Sequence, residues 1–194
     1  VHEPPLFDLI DAEPDRPTPV RLDWRTCACG RTTEALDRAL RHAHHAGEVR
    51  EESAITVWLA ACLALGPTPA SEAMARCREL LDHARGSRRV EAAVCTVLAY
   101  LSAMAGVEED ARTYLERSRR RHEELGLTFS RGRWTVRSGM ARLALGDLDA
   151  AEAELRWGHQ TLRDMGERAA LSTVAAYLAR VLVAEGRYAE AEAL

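Results

Sequence analysis

The sequence predicts an all-α protein, a right-handed solenoid of helical hairpins that repeat about every 40 residues. Three observations carry this expectation. Glycines recur on a fixed beat, the segments between them are apolar at helical spacing, and no run alternates as a strand would. Gly66, Gly106, Gly146 and Gly186 stand 40 apart, with Gly86, Gly126 and Gly166 midway between them. Glycine is favoured where a helix ends in the left-handed conformation, because it has no Cβ to clash. A stop every 20 residues describes helices of about 16–18 residues joined by tight turns.

Residues 1–33 hold five of the seven prolines and no sustained period. They are expected as an arm or linker, with a short ordered piece around "VRLDW". A repeat domain is expected over 34–194, with helices at about 34–46, 50–65, 70–85, 88–105, 108–125, 128–145, 148–165 and 167–185, and a ninth begun at 187. In the fourth, Val94, Val97, Leu98 and Leu101 form an apolar stripe. In the fifth, Val107, Ala111, Tyr114 and Leu125 hold the stripe while Ser118 and His122 interrupt it. The seventh is unbroken through Leu148, Ala151, Leu155, Gly158, Leu162 and Met165, and the eighth runs through Leu171, Val174, Leu178 and Val181. One such pair cannot bury its own apolar face, so neighbouring pairs must stack. The last repeat is cut short at Leu194, which leaves the face of helix 167–185 partly uncovered and raises a structural oligomeriser, packing through the C-terminal repeat, as an alternative.

Composition excludes several chemistries. There is no lysine and no asparagine, and all 26 basic residues are arginine, a bias that points to a GC-rich bacterial genome. A Schiff-base lysine, a P-loop lysine and a Cys-His-Asn triad are therefore ruled out within this chain. A net charge of −4 gives no basis for direct nucleic-acid binding. No apolar run is long enough to span a membrane, no secretory signal opens the chain, and the cytoplasm is the expected compartment.

The turns identify the kind of repeat. "GDLDAAEAEL" and "GRYAEAEAL" resemble the junction of a tetratricopeptide repeat (TPR), in which glycine turns between helices A and B, a Leu or aromatic packs back across the turn, and alanine permits close approach. The matching residues are Gly146, Leu148 and Ala151, then Gly186, Tyr188 and Ala191, with a looser match at Gly106. The stretches "GPTPASEAMARCRELL" and "LRDMGERAALSTVAAYLARVLVAEGRYAEAE" are similar to the TPR region C-terminal to the ATPase module of bacterial multidomain regulators, among them ATPase-linked class III nucleotide cyclases and related transcriptional regulators. The resemblance covers about 34–194 and does not include those proteins' ATPase or cyclase motifs. It implies a non-catalytic module, without cofactor, that binds a protein, peptide or small effector along its A helices. Mapped onto this chain, that groove is Ser53, Thr56, Thr96, Tyr100, Arg133, Met140, Thr173 and Arg180.

Two clusters stand apart from the repeat. Between Arg112 and Arg142 lie nine arginines and three glutamates, a local +6 in a chain of net −4. Arg117, Arg119, Arg120, Arg121 and Arg137 are expected either as solvated faces with i, i+4 partners or as one surface for an acidic segment or a neighbouring ATPase or cyclase domain. Cys27 and Cys29, with His42, His44 and His45 nearby in sequence, raise a metal or enzymatic alternative. "CAC" leaves only one residue between the thiols, short of structural zinc spacing, so no metal is expected.

Overall fold

The computed structural model describes residues 29–84 and 86–194. These form helices α1 (Cys29–Ala46), α2 (Val49–Leu65), α3 (Ala70–His83), α4 (Arg88–Met104), α5 (Glu108–Glu124), α6 (Thr128–Ala144), α7 (Leu148–Asp164), α8 (Arg168–Ala184) and the short α9 (Tyr188–Glu192), with no strand among the described residues. From α4 onward a helix begins every 20 residues. The proline-rich arm falls outside the described residues except at its end, where α1 starts at Cys29 rather than near residue 34.

The chain forms two compact units, divided between Thr68 and Pro69, where the sequence reading runs one domain over 34–194. In the first, α1 packs on α2, and Leu36, Ala43, Ile55 and Leu59 are buried. Gly66, expected as a left-handed stop, is instead extended at φ −83° and ψ −178°. Pro67 supplies the reason: its ring clashes with the preceding residue in helical or turn conformations and pushes that residue toward extended backbone.

The second unit holds α3 to α9. At Gly106, φ is +74°, its N–H donates to Ala103 O at 3.1 Å, and the Val107 N–H donates to Ser102 O at 2.9 Å. Gly146 repeats the pattern, with φ +74° and the Asp147 N–H on Arg142 O at 3.0 Å. This pair of bonds satisfies the last helical carbonyls and reverses the chain in two residues. At the other helix ends, Ser87 caps α4 through the Val90 N–H, and the Glu167 carboxylate accepts from Ala169 and Ala170 N–H at the start of α8.

Two rows result. The even helices pack in series, α4 against α6 and α6 against α8, while α5 and α7 each pack on the even helices to either side, α3 on α4 and α9 on α8. Helix α4 is buried on every face, from Val90 through Ala92–Ala103, because α3, α5 and α6 all lie against it. Between α7 and α8 the core is Ala151, Leu155, Leu162, Val174, Leu178, Val181 and Leu182. The odd row is tied at its surface by ion pairs: Arg78–Asp110 at 3.0 Å, Arg112–Asp147 at 3.8 Å and Arg156–Glu190 at 3.0 Å. Tyr188, which the junction pattern packs across its turn, is 63% exposed, because the five-residue α9 packs chiefly on α8 and meets α7 at the Arg156–Glu190 pair.

Helices α6 and α7 meet through glycine. A Cβ at Gly139 would stand 2.7 Å from Leu155 Cγ, and one at Gly158 would overlap the Thr135 side chain. Gly158→Ala is therefore expected to cost about 1–3 kcal/mol by overpacking, and Gly139→Ala somewhat less, as Leu155 can change rotamer. Gly146→Ala meets no neighbour but holds φ +74°, so its cost, about 1 kcal/mol, comes from the backbone alone. Urea unfolding of the three variants checks this order.

Candidate functional site

The expected groove residues fall into three environments. Ser53 and Thr56 lie on α2 in the first unit, where Thr56 is buried and donates to Glu52 O at 2.7 Å. Thr96 is also buried, bonded to Ala92 O at 3.1 Å and to Ser118 Oγ at 2.6 Å, so these two hydroxyls serve the interior rather than a groove. A β-branched side chain whose hydroxyl can bond the preceding turn tolerates such burial. The remainder lie on the even row: Tyr100 on α4, Arg133 and Met140 on α6, Thr173 and Arg180 on α8.

On that row the structure gathers a cluster the sequence reading captured only in part. Burial and Tyr177 hold the Tyr100 phenol above its ordinary pKa, against the pull of Arg137 and Arg180, which places residues of α4, α6 and α8 in one field. The Arg180 guanidinium lies 5.2 Å from the Tyr177 ring centre, Arg137 lies 4.8 Å from that of Trp134, and Arg133 lies 5.9 Å from that of Phe129. For Arg133 and Arg180, a guanidinium stacked on a ring loses rotamer freedom while its N–H edge can still donate. Trp134, Tyr177 and Phe129 were missed as members of this face. The visible signal was each ring three or four residues before an arginine, which sets them on one side of a helix.

The arginine-rich stretch divides. Arg119 pairs with Glu116 at 2.8 Å and Glu123 at 3.1 Å, and Arg120 lies 3.7 Å from Glu124. Arg117 and Arg121 close on Glu91 of α4 from either side, at 2.6 and 2.9 Å. Burial alone would raise the Glu91 carboxyl, but hydrogen bonds from the two guanidiniums outweigh it and hold the group below its ordinary value. Arg137 belongs to the even row instead. Five arginines on one open basic surface is therefore not what the structure presents, since carboxylates from its own turns and from α4 answer those of α5.

Between the two rows, among α4, α5, α6 and α7, is a chamber of about 20 Å³, partly open to solvent and lined by charged and polar side chains together with Leu115 and Trp134. His122, 3% exposed, lines it together with Ser118, Arg131, Ser138, Arg142 and Glu154. The His122 Nδ1 lies 3.0 Å from Ser118 O, an acceptor only, so Nδ1 carries a proton and Nε2 presents a lone pair in the neutral ring. Nε2 is buried without a hydrogen-bond partner, as are Nε of Arg131 and Nε of Arg142. Glu154 is held by Ser138 at 3.1 Å and by Arg131 at 3.5 Å. Ser118 and His122 were visible in the sequence as polar breaks in an apolar stripe, while Ser138, Arg142 and Glu154 carried no such mark.

The cysteine–histidine alternative is only partly described. Cys27 and the Cys29 side chain lie outside the described residues. His42 is exposed, His44 meets Glu52 at 3.2 Å, and His45 bonds Arg41 O at 2.6 Å. Among the described residues, no group of three His, Cys, Asp or Glu could hold a metal ion. Burial pushes the Cys77 and Cys95 thiols up to about 12, so both remain protonated at neutral pH. Among the described residues, too, no helix is long and apolar enough to cross a membrane. No protein family matches the chain, and no curated protein does.

Two measurements test this electrostatic arrangement. Burial, with Arg131 beside it, holds His122 below its ordinary pKa, and burial does the same to His159. Their contribution to stability is complete above the unfolded value of about 6.5 and is lost as pH falls toward the folded values. Stability measured by urea unfolding between about pH 7.5 and 5 should fall in the native protein and fall less steeply in His122→Gln, with His159 leaving a residual slope. Glu91→Gln should lower stability at pH 7 by about 1–3 kcal/mol, since it weakens two charge-assisted bonds. Because the Glu91 carboxyl is depressed, the difference between variant and native protein should shrink as pH drops below about 4.

Proposed function

We propose that this chain is a TPR-type, non-catalytic module of a bacterial signalling or transcription regulator, and that it binds an acidic protein segment or effector on the face formed by α4, α6 and α8. The observation that carries this reading is the convergence of Tyr100, Arg137, Tyr177 and Arg180 from three successive even helices, with arginines stacked on rings. Stacked guanidiniums and phenols suit carboxylates arrayed along a chain better than they suit covalent chemistry, which needs a nucleophile and base in contact. The helical repeat and the junctions at Gly146 and Gly186 support the TPR assignment, with right-handed stacking of about 40 residues per repeat. The module works in the cytoplasm, alongside an ATPase or cyclase domain of the same regulator.

Charge reversal tests the face. Fluorescence anisotropy with a panel of glutamate-rich peptides should show binding that weakens with salt and drops at least ~10-fold in Arg133→Glu/Arg180→Glu. Equal affinities for native protein and variant would sink the assignment of this face. A second reading, self-association through the C-terminal repeat, is favoured by the exposure of Met165, Val183 and Tyr188 near the ends of α7, α8 and α9. A single monomeric species in sedimentation at high concentration would count against it.

A further inference from the structure

The chamber lies between α4, α5, α6 and α7; it shares Thr96 with the groove residues expected from sequence and borders the proposed docking face at Trp134. Its wall is unusual in what it leaves unanswered. Arg142 makes no hydrogen bond or ion pair with any described residue, and its Nε is buried. Arg119, which also lines the chamber, is committed to Glu116 and Glu123, and Arg131 is divided between Glu123 and Glu154. Leaving a buried polar group unpaired costs about 1–3 kcal/mol, more when it is charged. Here two guanidinium N–H groups and an imidazole nitrogen, all buried and unpaired, belong to side chains that line one chamber.

We propose that this chamber is a carboxylate site: a carboxylate, free or on an acidic side chain, accepts from Arg142 and Arg131 and shares one proton with the His122 Nε2. The fit is one of size and of donor pattern. A space of about 20 Å³ takes the end of a head group rather than a ring or a nucleotide. Two donors and one acceptor match a carboxyl group that carries a proton, or equally a carboxylate facing an imidazolium. The proton comes from solvent, and no covalent bond forms or breaks. The charged groups around His122 are Arg119 on its own helix, Arg131 and Arg142 on α6, and Glu154 on α7, while α4 contributes the neutral Thr96. Burial and Arg131 favour the neutral ring, and an anionic oxygen against Nε2 reverses that preference. Binding of the carboxylate is thereby linked to uptake of a proton, and Glu154, already held by Ser138 and Arg131, leaves Arg142 without a direct acceptor, its charge felt by Glu116 beyond ion-pair distance.

The test follows the His122 ring resonances of the full 194-residue chain from about pH 8 to pH 5, in sodium acetate and in sodium chloride of equal ionic strength. Acetate should raise the His122 titration midpoint, and its affinity should strengthen up to about tenfold per pH unit on descent. Arg142→Gln should weaken acetate at least ~10-fold. Arg142→Lys keeps the charge without the planar fork and should lie between, which preserves the comparison if the glutamine variant does not fold. His122→Gln, followed through the Thr96 and Ser138 amide resonances, should bind acetate weakly and without the pH dependence. A second arm replaces acetate with the blocked peptide acetyl-Ala-Glu-Ala-amide. Tighter binding of the peptide assigns the carboxylate to a protein side chain, and tighter binding of acetate assigns it to a small molecule. If neither moves His122 beyond the chloride control, or if Arg142→Gln responds as the native protein does, the chamber is a hydrated packing defect and the proposal is overturned. The outcome is independent of the peptide titration on the α4–α6–α8 face, whose variants leave His122 and Arg142 intact.

Discussion

Everything in the second unit depends on the length of its turns. A left-handed glycine followed by a single residue closes each helix from α4 to α8 with two hydrogen bonds, and it leaves no slack in the connection. With turns that short, successive helices lie side by side, and a helix begins every 20 residues. Because that beat is not a whole number of helical turns, each helix needs its own apolar stripe, and α4, enclosed by three neighbours, needs apolar or small residues all round. Where proline follows the glycine, at residues 66 and 67, the turn is lost and the compact unit ends close by.

Given that scaffold, close approach is set by side-chain size at the crossings. Glycine at 139 and 158 admits Leu155 and Thr135 against facing backbone. The α4–α5 crossing is made differently: Ser118 Oγ meets Thr96 Oγ1 at 2.6 Å and Ala92 O at 2.8 Å, a polar contact buried among alanines. Such a contact is tolerable only because its hydroxyls are satisfied. His122, one turn further along, extends this polar seam into the chamber with one nitrogen answered and one not.

The arginines show how sequence proximity misleads about charge. Counted along the chain, 112–142 is strongly positive, yet Glu91, Asp147 and Glu154 arrive from neighbouring helices to meet Arg117, Arg121, Arg112 and Arg131. Charges in a helical array are balanced across helices, at contacts set by the repeat rather than by adjacency. The positive character that survives lies on the even row, on arginines stacked against rings, and at Arg142 in the chamber.

Much of this fold was legible in the residues alone. The glycine beat, the absence of proline after Pro69 and the 3–4 spacing of apolar residues define helix type, number and ends, because these are local properties of backbone and side chain. Gly66 was misread from the beat as a left-handed stop, although the proline beside it carried the opposite signal. The chamber's composition and the division of the arginines were not legible, because they depend on which side chains meet across helices 20 to 40 residues apart. Thr96 shows the limit most plainly. By pattern it belongs to a binding groove, but it is buried, its hydroxyl bonded to Ala92 O of its own helix and to Ser118 Oγ arriving from α5. Local chemistry decides where a helix stops, whereas packing geometry decides which of its polar atoms remain free to bind.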